Sequence, residues 1–182
     1  GFTDDASEAL SGGSNSKWTG SLQWSSMTNE ADGSAAYFIR ALVSQNESLT
    51  LATAINIPAD AKAALSFTTR YGIENGYDFG HVEVQADGGA WETLASLTGP
   101  AGAINPDTVT DASLAYDLSA YSGKSIKIRF RMQSDAYTVA HDWVLGMTDL
   151  VKPGITCGEL AQAAPKIPER FLPRVLRDLA RA

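Results

Sequence analysis

The stretch Ile126-Lys127-Ile128-Arg129-Phe130-Arg131-Met132 alternates without a break between apolar and cationic side chains. Successive side chains of a β-strand point to opposite faces. This run therefore puts four apolar groups on one side and three cations on the other. It reads as a half-buried strand, and the pattern recurs. Leu65, Phe67, Thr69 and Tyr71 alternate with Ser66, Thr68 and Arg70, and Val82, Val84 and Ala86 alternate with His81, Glu83 and Gln85. Weaker strand patterns lie at residues 37–43, 49–57, 91–97, 114–118 and 143–151.

Turn chemistry separates these runs. Asp87-Gly88-Gly89 ahead of Trp91 predicts a hairpin, because these residues tolerate positive φ. Tyr121-Ser122-Gly123-Lys124, Pro58-Ala59-Asp60 and the Gly- and Pro-bearing stretch 99–111 read as turns and loops. Residues 7–28 are rich in Ser and Gly but carry Trp18 and Trp24, which predicts a long loop or edge region packed on the body. Eight or so short strands without intervening amphipathic helices predict an all-β fold, a two-sheet antiparallel sandwich over residues 1–152.

The character changes after Lys152. Residues 153–182 read as a Pro-containing linker and a short, basic, amphipathic C-terminal helix. Phe171, Leu172, Val175, Leu176 and Leu179 follow helical spacing, with Arg170, Arg174, Arg177 and Arg181 on the other side. Such a helix packs on the sandwich, docks to a partner or lies on a membrane surface.

Hydrophobic residues make up 44% of the 182 and charged residues 19%, enough for a core and too few charges for general disorder. The net charge of −7 argues against nucleic acid as a partner. Cys157 is the single cysteine, so no internal disulfide holds the fold. No apolar run approaches the roughly 20 residues that span a bilayer. The chain opens Gly1-Phe2-Thr3-Asp4-Asp5, with neither a basic start nor an apolar stretch, and is expected to be a mature piece of something longer.

Signatures of catalysis are missing from the sequence. There is no Gly-x-Ser-x-Gly elbow and no His-Glu-x-x-His motif, and the two histidines are His81 and His141. Calcium requires six to eight oxygens, with several carboxylates converging. Asp4, Asp5, Glu74, Asp78, Asp135 and Asp142 are the candidates, with Asp4, Glu74, Asp78 and Asp142 foremost; otherwise these acids cap turns and solvate loops. For a glycan or protein ligand, Trp24, Tyr77 and Tyr137 are the expected surface aromatics, while Trp91 and Trp143 read as core. Lys127, Arg129 and Arg131 either pair with acids on a neighbouring strand or form a stripe for an anionic polymer.

Two stretches then become recognisable. Tyr77-Asp78-Phe79-Gly80-His81-Val82-Glu83-Val84-Gln85-Ala86-Asp87-Gly88-Gly89-Ala90-Trp91-Glu92-Thr93-Leu94 is the first. Tyr116-Asp117-Leu118-Ser119-Ala120-Tyr121-Ser122-Gly123-Lys124-Ser125-Ile126-Lys127-Ile128-Arg129-Phe130-Arg131 is the second. Together they resemble the jelly-roll accessory domains of secreted bacterial peptidases of the immune inhibitor A type, and their MAM-like, choice-of-anchor J and cleaved-adhesin relatives. The resemblance covers roughly residues 1–151 and implies a non-catalytic module of a secreted or cell-surface protein. Such a module would sit beside a catalytic domain such as a peptidase and engage glycan or protein. The alternative is a structural or adhesive module whose basic C-terminal helix docks to a partner or surface. Relatives often bind a structural calcium. Here Gly146 and Met147 replace the two acidic positions of the family's last strand, a departure that weakens the implied Ca2+ site.

Overall fold

The computed structural model describes residues 1–28, 33–40, 42, 44–99 and 110–135. The expected strand at 143–151, Tyr137, His141, Asp142, Gly146, Met147, Cys157 and the tail 153–182 lie outside the described residues. The chain divides into two units, Gly1–Ala41 with Gln45–Ser134, and Leu42–Ser44 with Asp135–Ala182. In the second, the Ser44 N–H donates to the Asp135 carbonyl at 2.7 Å.

In the first unit, ten strands are all paired antiparallel. They are β1 (Trp18–Gly20), β2 (Trp24–Thr28), β3 (Ala35–Ile39), β4 (Asn46–Leu51), β5 (Ile55–Asn56), β6 (Ala64–Tyr71), β7 (Phe79–Ala86), β8 (Trp91–Leu97), β9 (Thr110–Asp117) and β10 (Ser125–Gln133). A six-stranded sheet runs β1-β4-β10-β7-β8, with β5 pairing β10 beyond the end of β4. The region 7–28, expected as loop or edge, contributes β1 and β2, and the expected strand 49–57 is broken at Ala52-Thr53-Ala54 into β4 and β5. The remaining strands form two ribbons, β2–β3 and β6–β9.

The deciding run is β10, and its register explains why the alternation is so clean. It pairs with β4 on one side and β7 on the other, so it is central and half-buried along its length. Phe130 faces Leu49 and Val82, and Ile128 faces Val84. Directly opposed residues in an antiparallel pair share a face, so these form one apolar layer. Leu49, Leu51, Val82 and Val84 are all but sealed from solvent. Each contributes about 1.5–3 kcal/mol by leaving water. The layer is covered by residues from both ribbons and their connections, among them Trp24, Tyr37, Ile39, Leu65, Leu118 and Tyr121.

Two local features fix the β7–β8 hairpin. Asp87 (φ 50°) and Gly88 (φ 73°) occupy its two central turn positions, and the Gly89 N–H closes on the Ala86 carbonyl at 2.8 Å. Two positive φ values match the right-handed twist of the strands, which makes this a two-residue primed turn. The Asp87 carboxylate and N–H also bond the backbone of Ser125, tying the turn to the start of β10. A register shift between Val82 and Glu83 leaves Leu94 as an extra residue on β8. Either side of it, Ala95 sits beside Val82 on the inner face and Thr93 beside Glu83 on the outer.

Candidate functional site

The outer face of the six-stranded sheet carries the charged half of β10. Register places Arg129 opposite Glu83, Arg131 opposite His81 and Lys127 opposite Gln85 on β7. Beyond them, Trp91 pairs Gln85, Thr93 pairs Glu83 and Ser96 pairs His81 on β8. On the other flank, Thr50 and Ser48 of β4 pair Arg129 and Arg131. The expectation that the cations pair with neighbouring acids is met at Glu83.

Glu83 is 3% exposed, and both its oxygens are bonded. Arg129 Nε donates to Oε2 at 2.5 Å, Arg131 Nη2 to Oε1 at 2.8 Å, and Arg131 Nε bridges the two oxygens at 3.1 and 3.3 Å. Burial alone would raise the carboxyl pKa, but the hydrogen bonds from Arg131 and Arg129, with their charges, hold it at about 2. The two arginines differ. Arg131 also donates through Nη1 to Asn46 Oδ1 at 3.1 Å and Gln133 Oε1 at 2.8 Å. Arg129 instead lays its guanidinium over the Trp91 ring, 4.2 Å from the centroid. Trp91, read from sequence as core, is therefore a half-buried aromatic of the outer face.

His81 stacks on Phe79, with centroids 5.7 Å apart, and its Nδ1 lies 2.8 Å from Ser96 Oγ. Burial, and then the charge of Arg131, lower its pKa. The acid nearest it on the strand, Glu83, is fully engaged by arginines and cannot orient the ring. Among the described residues this serine–histidine pair therefore has no third member of a hydrolytic triad.

A second cluster sits where the chain enters β7. Glu74-Asn75-Gly76-Tyr77-Asp78 forms a turn in which the Asp78 and Tyr77 N–H groups donate to the Glu74 carbonyl at 3.0 and 3.3 Å. Gly76 (φ 79°) supplies the left-handed residue that lets the turn close. Thr98, just past β8, pegs the turn: its Oγ1 accepts from Gly76 N–H at 2.8 Å and donates to the Glu74 carbonyl at 3.2 Å. Carboxylate oxygens of Glu74 and Asp78 come within 4.8 Å of each other. Two like charges at that separation repel by about 1–3 kcal/mol near a protein surface, a cost that a hard cation would relieve. An all-oxygen anionic pair fits calcium by chemistry, and two carboxylates fall short of its six to eight oxygens. Phe79 pairs with Gln133, so the chain leaves β10 at the end of the sheet where this turn enters β7.

Asp4 does other work. Its Oδ2 accepts from Trp18 Nε1 at 2.5 Å and Tyr37 Oη at 3.0 Å, and its Oδ1 from Lys17 Nζ at 2.9 Å and Ala6 N–H at 3.2 Å. Burial opposes ionisation, but these four donors outweigh it and lower the carboxyl pKa. Asp4 thus ties the N-terminal segment to β1 and β3 and does not join Glu74 and Asp78. Trp24, expected at the surface, is 9% exposed and belongs to the core. Tyr77 is half-buried in the acidic turn.

Among the described residues no helix is long and apolar enough to cross a membrane. A family model described as "Immune inhibitor A-like, MAM domain" matches residues 21–145. The chain is also 30% identical, over 92 residues, to Bacillopeptidase F of Bacillus subtilis (strain 168). That stretch is 50% of this chain and 6% of the relative, so the chain spans a small part of its length.

Proposed function

The chain belongs to the immune inhibitor A-like MAM domain family, and from that premise we propose that it is a non-catalytic accessory module of a secreted or cell-surface bacterial peptidase. It engages glycan or protein on behalf of a neighbouring catalytic domain. The observation that carries this reading is the state of the outer face. Among the described residues its serine–histidine pair has no acid to complete it, because both oxygens of Glu83 are held by Arg129 and Arg131. What the face offers is fixed, preorganised polar groups of the kind a binding site presents to a ligand.

The test has two arms. The purified chain should hydrolyse neither casein nor chromogenic peptide and ester substrates, and it should sediment with bacterial cell surfaces or their polymers. Turnover abolished by Ser96→Ala or His81→Gln would overturn the non-catalytic reading.

Calcium belongs to the same proposal as a structural ion. Glu74 and Asp78 supply its first oxygens, and Asp135 and Asp142 are the next acids along the sequence after β10. Chelation should lower the melting midpoint by several degrees and calcium should restore it. In a Glu74→Gln, Asp78→Asn double variant the two curves should coincide. A wild-type midpoint indifferent to EDTA removes calcium from the account.

A further inference from the structure

We propose that the outer face of the six-stranded sheet is a binding site for a carboxylate-bearing polysaccharide, with the open Nη edge of Arg129 as the group that grips each carboxylate. This rests on the reading of the chain as a binding module and names the ligand class.

The argument starts from the contrast between Arg129 and Arg131. Arg131 has all three of its nitrogens engaged, Nε and Nη2 by Glu83 and Nη1 by Asn46 and Gln133. Arg129 has committed only its Nε, to Glu83. Its two Nη groups have no partner among the described residues, and neither is sealed from solvent. The guanidinium is also held in place: Glu83 fixes one edge, and the Trp91 ring lies under its plane at 4.2 Å. A planar fork with one edge anchored and the other free matches a carboxylate bidentately, with little ordering cost left to meet on binding.

The surroundings narrow the ligand. Among the described residues the face carries Lys127, Arg129 and Arg131 against one carboxylate, Glu83, on a chain whose net charge is −7. It is a cationic strip on an acidic molecule, so charge complementarity selects an anion. The Nη edge accepts a planar two-oxygen group. The neighbours by register are Thr50, Ser48, Thr93, Gln85 and His81, all hydroxyl, amide or imidazole. Protein interfaces centre on apolar anchors in desolvated pockets. The described residues of this face offer only Phe79 and Trp91 of that kind, and one face of Trp91 is already covered. Hydroxyl-rich rings carrying carboxylates, the uronates, suit such a surface better than an acidic peptide.

The experiment uses the full chain and three probes: a panel of oligogalacturonate, oligoguluronate and oligomannuronate, the methyl-esterified oligogalacturonate, and a polyglutamate peptide. Binding is read by Trp fluorescence and by guanidinium 15N–1H signals. At least one uronate should bind and move the Arg129 Nη signals while those of Arg131 stay put. Esterification should weaken binding about 10- to 100-fold, the worth of a charge-assisted hydrogen-bonded pair. Arg129→Lys should do the same to uronate binding. Should that variant fail to fold, the wild-type guanidinium shifts decide alone. Equal affinity for acid and ester, or uronate binding that leaves Arg129 unmoved, sinks the carboxylate grip while the module reading stands. Tighter binding of polyglutamate makes the face a protein site and overturns the glycan. No binding by any probe, together with no sedimentation with cell surfaces, removes both readings.

Discussion

The two faces of β10 are built from alternate residues of one strand, and both are largely removed from water, yet they hold together differently. On the inner face, Ile126, Ile128 and Met132 pack without regard to direction, and a neighbour can be exchanged for another of similar volume. On the outer face, Glu83 and its arginines depend on direction and on charge, and no member can be lost singly without stranding the others. Burial alone therefore does not tell which residues of a sheet are interchangeable.

The sharpest way to break this contrast is Glu83→Ala, which leaves two partly buried guanidinium groups facing each other. It should cost about 3–5 kcal/mol, the range for removing one partner of a buried ion pair. Replacing all three, with Glu83→Met, Arg129→Leu and Arg131→Met, should restore most of that loss in urea titrations. If the triple variant is no better than the single one, direction and charge are not what distinguish the outer face. On the inner face, Leu49→Ala should cost about 2–5 kcal/mol, near 3, with no dependence on pH.

Acid separates the faces next. The Glu83 carboxyl sits at about 2 in the folded chain against an ordinary 4.5. A depressed carboxyl stabilises the fold above its unfolded value, and that contribution is lost as pH falls from about 4.5 towards 2. The size is about 3 kcal/mol at most, and it should vanish from the difference between pH 6 and pH 2 stabilities in Glu83→Gln. Smaller still, Asp4→Asn should cost about 1–2 kcal/mol at neutral pH, because Lys17, Trp18 and Tyr37 lose a charged acceptor. Its Asp4-dependent part should likewise fade in acid, since that pKa is also lowered. Arg129→Lys, which keeps the charge and loses the stacked plane, should lower stability least, by about 1 kcal/mol.

How much of this was legible in the sequence follows from distance along the chain. The alternation of 126–132 and of 65–71, and the Asp87-Gly88 turn, are local, and the strands and hairpin they predict are present with small shifts of boundary. The resemblance read at 77–94 and 116–131 was to the family whose model matches the chain. The partners of β10 are non-local, so the sequence could say that Glu83 and Arg129 share the wet side of strands but not that they meet. Trp91 misled because a tryptophan after a hairpin turn is usually core; the bulge at Leu94 is what turns it outward. Trp24 misled in the other sense, because a Ser- and Gly-rich context hid a strand that pairs with β3. For the metal candidates, Glu74 and Asp78 are four residues apart on one turn and were found by proximity alone. Asp4 was grouped with them by chemical type and proved to be occupied by Lys17, Trp18 and Tyr37.

The place of β10 in the sheet has a consequence for how the molecule comes into being. It is the last described strand in sequence and the one that joins β4 to β7. Until residue 133 has emerged from the ribosome, the two halves of the sheet have no edge in common, and Leu49 and Val82 lack Phe130 between them. Pairings between residues some 80 positions apart are slow to form. A nascent chain of this order stays open until β10 has been made, which is the condition in which a polypeptide can still be threaded through a narrow pore.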